Sequence, residues 1–192
     1  MRFRLAAGFI SAVILSGCAA PAANLSFSVP NVGYATKKLD AELRSMTVTV
    51  ARNDERKAGI PMDITDANIP QMWQTALQEA LNKMAIFKDD ASQKVNLSVK
   101  ILGIDVPAAG FSMTTTTIAR YELIDRANGA IIYAEDVSAA GVVPADYAFM
   151  GLIRARESVN RSVQANISQF LQALQNVDTA KPMFPNAPMA SK

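Results

Sequence analysis

The chain has 192 residues, half of them hydrophobic and 19% charged, with no histidine and a single cysteine. That composition supports one domain with a packed core and excludes imidazole metal sites, Ser-His-Asp or Cys-His catalysis and an internal disulfide. Nineteen basic and 17 acidic side chains are spread without a clustered basic footprint, so nucleic acid is not an expected partner.

At the N-terminus, Arg2 and Arg4 precede an apolar run of 11 residues, Leu5 to Leu15, followed by the small residues Ser16 and Gly17. A positive start, a short apolar stretch and small residues form a secretory signal, and the run falls short of the roughly 18 residues needed to span a bilayer. Leu15-Ser16-Gly17-Cys18 resembles the lipobox of bacterial lipoproteins at all four positions. The resemblance implies cleavage between Gly17 and Cys18. It also implies a diacylglyceryl thioether on Cys18, usually joined by an N-linked acyl chain such as palmitate. One acyl chain holds a protein only marginally to a membrane, whereas two or three anchor it stably. The next residue is Ala19, not the aspartate that retains enterobacterial lipoproteins at the inner membrane. The expected location is therefore the outer membrane, with the domain in the periplasm. Removal of residues 1–17 leaves 175 residues carrying 17 basic and 17 acidic side chains, a neutral balance.

Residues 18–45, with Pro21, Pro30 and many small residues, read as the lipidated cysteine and a tether. The domain is expected over 46–176. Met46 to Ala51 alternates apolar residues with threonine, the period of a half-buried strand, and Arg52 to Lys57 reads as a solvated loop. Asn68 and Pro70 open a helix whose stripe is Ile69, Trp73, Leu77, Leu81 and Met84. Val95 to Ile104 alternates again, and Val106 to Met113 is an apolar connection. Thr114 to Asp125 is the next strand, and Asp125-Arg126-Ala127-Asn128-Gly129 carries hairpin chemistry. Ala130 to Ala139 returns as a strand, so these three form an antiparallel meander. Gly141 to Asp146 reads as a break, and a second helix runs from about Tyr147 to Gln175. Its expected apolar face is Leu152, Val159, Val163, Ile167, Phe170, Leu171 and Leu174. Residues 177–192, with Pro182, Pro185 and Pro188, read as a loose tail. The order β-α-β-β-β-α predicts an α+β two-layer sandwich: an antiparallel sheet of about four strands with both helices on one face.

A lipobox, a tether and this element order resemble the small outer-membrane lipoproteins of the YajG type, and more distantly the ABC-transport auxiliary lipoproteins. The stretches that carry the likeness are Trp73 to Leu81, Val95 to Ile101, and Tyr121 to Asp125 with Asn128-Gly129. It covers roughly residues 46–175 and implies no catalytic residues.

Candidate chemistry within the domain is sparse. Glu135 and Asp136 are adjacent on a strand and face opposite ways, so they form no dyad; Asp105 stands apart, and Ser112 and Thr114 to Thr117 have no base in evidence. No cofactor or metal is expected. Phe111 and Met113 are the candidate contacts for a protein partner, with folding back over the sheet as the alternative. Arg154, Arg156 and Arg161 are candidates for an anionic surface, or for a solvated helix face paired with Glu157. The functional expectation is a non-enzymatic accessory or protein-binding subunit in envelope transport or outer-membrane assembly, held to the membrane through lipid on Cys18. The alternative is a carrier with an apolar pocket between helices and sheet. An enzyme acting on envelope polymers has least support.

Overall fold

The computed structural model describes residues 24–56, 61–63 and 67–184. The signal peptide, Gly17, Cys18 and the first part of the tether lie outside the described residues, as does the end of the tail. Strand β1 (Glu42–Val50) leads to helix α1 (Ile69–Met84), then β2 (Lys94–Asp105), β3 (Met113–Asp125), β4 (Ile131–Val143) and helix α2 (Gly151–Leu174). This is the expected α+β order, in a four-stranded open sheet ordered β1-β2-β3-β4.

The sheet is mixed where an antiparallel one was expected: β1 and β2 run parallel, with Met46 opposite Leu97 and Val50 opposite Ile101. The cause is the connection, because α1 carries the chain back to the end where β1 began and so forces the same direction on β2. β2, β3 and β4 form the antiparallel meander. The hairpin between β3 and β4 uses the expected residues. Asp125 accepts hydrogen bonds from Ala127 and Gly129 N–H groups, Asn128 accepts one from Ala130 N–H, and Gly129 takes a positive φ of 73°.

Both helices lie on one face, α1 over β1 and α2 over β3 and β4. The core between them holds Trp73, Leu77, Leu97, Val99, Ile101, Tyr121, Leu123, Ile167 and Phe170, all buried. The opposite face is polar. Arg120 on β3 makes a two-pronged pair with Asp136 on β4, at 2.6 and 2.9 Å, and Lys100 on β2 bonds Glu55.

Two segments expected to be loose belong to the packed body. In the presumed tether, Phe27, Val29, Leu39 and Ala41 are buried. Phe27 meets the Trp73 ring edge-on at 6.3 Å, and Ala35 and Leu39 N–H groups bond the carbonyls of Met84 and Ile86. Leu25, Phe27 and Val29 alternate inward on an extended stretch that fills the groove between α1 and α2. The small contact between the two helices themselves leaves that groove open for it. In the presumed tail, Ile131 exchanges backbone hydrogen bonds with Phe184, and Met183 N–H bonds Ile132. Residues 183–184 thereby cover part of the free edge of β4, a common way of blunting an edge strand.

Candidate functional site

Three places gather side chains beyond ordinary packing: a polar seam under α2, the acids of β4, and the end of the molecule where α2 begins.

The seam lies where α2 crosses β3 and β4. Thr115 and Ser158 hydroxyls meet at 2.7 Å. The Ser162 hydroxyl lies 2.9 Å from both Thr117 Oγ1 and the Ala139 carbonyl, one of which takes its single proton, and the Asn166 amide donates to the carbonyls of Thr117 and Val137. The Tyr121 hydroxyl donates to Asn166 Oδ1 at 2.8 Å and accepts from Trp73 Nε1 at 3.3 Å. All of these side chains are buried. Burial pushes the Tyr121 hydroxyl far above its ordinary pKa, so it remains a neutral donor, and its ring stacks on Phe170 at 4.1 Å. Each member bonds another or a strand carbonyl, as buried polar groups must. The bonds of the seam tie α2 to β3 and β4. The seam also explains Gly141. A Cβ there would lie 2.2 Å from the Ser158 carbonyl oxygen and 2.3 Å from the Ser162 nitrogen. The expected break at Gly141 is instead continuous strand, and glycine is required because the α2 backbone passes directly over it.

The candidate acids do not converge. Asp136 is paired with Arg120 on the outer face. Glu135 accepts a hydrogen bond from the Tyr133 hydroxyl, whose pKa is raised by burial and by that carboxylate. Asp105 closes β2 at the far end of the sheet from Ile131.

At the end where α2 begins, the two candidate partner contacts separate. Met113 is buried as the first residue of β3, folded back under the start of α2, so it is not available to a partner. Phe111 is 89% exposed in the loop before it. Beside it stand Phe149, fully exposed, and Met150 and Leu152, each 57% exposed. Leu152 was expected on the inner face of α2, but the helix starts at Gly151 and its inward packing begins only at Ser158. Arg154 ties the two loops of this tip together. Its guanidinium donates to the carbonyls of Ala148 (2.6 Å) and Phe149 (3.0 Å) in one loop and to Gly110 (3.2 Å) in the other. Its Nε is buried and, among the described residues, has no hydrogen-bond partner. Arg161 bonds Glu157 and the Val142 carbonyl and lies 5.2 Å over the Tyr147 ring. Neither arginine is therefore a freely solvated cation; both brace the tip.

Sequence reasoning found Phe111 but missed Phe149 and Met150, which a helix beginning at 147 would have absorbed. It also missed Ser158, Ser162 and Asn166. Their signal was present, because they recur every four residues opposite Thr115 and Thr117, which recur every two. The space between helices and sheet, where a carrier would hold its ligand, is filled by Trp73, Tyr121, Phe170 and, from outside, Phe27.

No family model matches the chain, and no curated protein sequence does. Among solved structures, it is similar to a hypothetical protein from Chlamydia trachomatis (12% identity, TM-score 0.47), over 73% of this chain and 97% of that one. A Xanthomonas campestris protein aligns at 11% identity and TM-score 0.42, over 79% and 96%. A minor lipoprotein from Acinetobacter baumannii aligns at 16% and 0.37, over 79% and 98%. These are likenesses of overall arrangement, and no residue role passes from them to this chain.

Proposed function

We propose that the chain is a bacterial lipoprotein anchored in the outer membrane through Cys18, whose domain serves as a non-enzymatic accessory subunit. It would bind an envelope protein engaged in transport or outer-membrane assembly, in the manner implied by its resemblance to the YajG type. The observation that carries this reading is the four-residue lipobox closing an 11-residue apolar run, in a chain with one cysteine and no histidine. Two features support the non-enzymatic part: the buried polar seam satisfies its own hydrogen bonds, and the acids of β4 are spent on Arg120 and Tyr133.

Cys18→Ala in the producing bacterium tests the anchor. The wild type is expected to incorporate labelled palmitate and to sediment with outer membranes, while the variant incorporates none and is recovered soluble and folded. A variant that stays with the membrane in high salt would refute the lipid anchor. Affinity purification of the wild type from detergent extracts tests the accessory role, and reproducible recovery of the protein alone would count against it.

A further inference from the structure

The exposed tip lies at the end of the molecule toward which the N-terminal segment runs. Ala35 bonds Met84 at the end of α1, and Val32 to Tyr34 border Gln172 and Gln175 at the end of α2. Going back along the chain, Gln164 donates to the Ser26 carbonyl. Asn160 then accepts from Ser26 N–H and donates to the Asn24 carbonyl. Residues 34 to 24 therefore climb α2 from its last turn toward its first. From Asn160 to Gly151 the helix rises about 14 Å at 1.5 Å per residue. From Asn24 back to Cys18 the chain reaches at most about 20 Å at roughly 3.3 Å per residue. A chain of that length, continued in the direction of residues 34 to 24, is long enough to bring Cys18 to the level of Gly151 with at most about 6 Å to spare, less than the roughly 10 Å width of one helix. For a chain that continues along this line, a bilayer holding the lipids of Cys18 lies within about one helix width of the tip.

We propose that the tip is a second membrane contact: Phe111, Phe149, Met150 and Leu152 rest in the interfacial layer of the bilayer that anchors Cys18. This inference rests on the lipid-anchor reading above. Its occupant is the lipid surface, chosen over a protein partner by the length of the tether and the direction in which it leaves the domain. Aromatic and aliphatic side chains at such a boundary gain by leaving water. Arg154 makes the contact a fixed surface by bonding the two loops to one another. Phe111 then serves as a lipid contact, and the surface left for a protein partner is the polar sheet face and the flanks. The domain stands upright, with the β3–β4 hairpin and Tyr34 farthest from the membrane.

The test uses the lipidated full chain, purified from membranes and reconstituted in phosphatidylcholine–phosphatidylglycerol vesicles with brominated acyl chains. Three single variants are compared, Phe149→Trp, Phe111→Trp and, at the opposite end, Tyr34→Trp, each corrected for the emission of buried Trp73. All three positions are solvent-exposed, so the substitutions leave the fold unchanged. The expected result is blue-shifted, bromine-quenched emission at 149 and 111, and water-like, unquenched emission at 34. Three outcomes overturn the proposal. If the protein floats with the vesicles and carries its lipid mass but 149 and 111 remain unquenched, the tip does not meet the bilayer although the anchor stands. Shielding of 149 and 111 only when an envelope protein is added assigns the tip to a protein partner. Absence of lipid mass with failure to float refutes the anchor reading itself, and the inference with it.

Discussion

Gly141→Ala separates two opposed expectations. On backbone grounds alone the change is favourable, since glycine inside a strand is worth roughly 0.5–1 kcal/mol less than alanine. The packing predicts the reverse. The new Cβ would lie 2.2 Å from the Ser158 carbonyl oxygen, 2.3 Å from the Ser162 nitrogen and 2.9 Å from the Arg161 carbonyl carbon. All three are backbone atoms of α2, so no side chain can swing aside. To restore ordinary separations of about 3.5 Å, the helix must retreat by about 1 Å, a gap that forfeits a quarter to a half of each dispersion contact. Val159, Val163 and Ile167 sit at that interface. The retreat also lengthens the Ser158–Thr115, Ser162–Thr117 and Ser162–Ala139 hydrogen bonds, each worth about 0.5–1.5 kcal/mol net. Together with overpacking of about 1–3 kcal/mol, the expected loss is about 3 kcal/mol or more. For a domain of this size that lowers Tm by roughly 6–12 °C. Urea unfolding followed by Trp73 emission, with thermal unfolding by circular dichroism, measures both. A neutral or stabilised variant would refute the close approach of α2 to β4 and, with it, the account of the seam.

Phe27→Ala tests whether the stretch before β1 belongs to the fold. Phe27 is 2% exposed against Trp73, and truncating a buried phenylalanine costs about 3–5 kcal/mol; a loss below about 1 kcal/mol, with Trp73 emission unchanged, would return that stretch to the status of a tether. Acid stability follows from half-buried ion pairs. Hydrogen bonds from Lys94 and then Arg44 hold the Glu42 carboxyl below its ordinary range; Lys100 and the Arg52 N–H do the same for Glu55. A carboxyl with a lowered pKa stabilises the fold above its unfolded value of about 4.3, and that stabilisation is lost as pH falls through the folded value. The urea midpoint should therefore drop between about pH 5 and pH 3, and less steeply in Glu42→Gln; identical slopes for the two proteins would refute the assignment.

Periodicity made the elements legible where one force dominates. The stripe of α1 and the alternation of β2 and β3 each record a single buried face, and the Asn128-Gly129 turn records a local backbone demand. Legibility failed where tertiary contact overrides local pattern. Leu25, Phe27 and Val29 alternate like a strand, but proline and small neighbours around them read as tether, and only the open groove between the helices gives them something to bury. Leu152 continues the apolar rhythm of α2, yet the first two turns of the helix, before Ser158, bury no side chain fully and leave it in solvent. Gly141 looked like a terminator because a sequence does not reveal that another backbone passes overhead. The direction of β1 was hidden for a related reason: alternation is blind to strand polarity, which the α1 crossover decides.

The seam and the tip are linked through the axial position of α2. An interface of Val, Ile and Leu alone tolerates sliding, because one aliphatic side chain replaces another with little change in contact energy. Hydroxyl and amide pairs do not. A slide of α2 by half a turn, about 2.7 Å, would carry Ser158 away from Thr115, Ser162 from Thr117 and Asn166 from the Val137 carbonyl at the same moment. Each buried donor or acceptor so stranded costs about 1–3 kcal/mol. The seam therefore fixes how far α2 extends past the sheet. That extension is what places Phe149, Met150 and Leu152 outside the core and level with Phe111, while Arg154 joins their loops across the gap. Buried hydroxyl and amide pairs under α2 and exposed apolar side chains at its start serve one geometry: an apolar end held at a set height on the sheet.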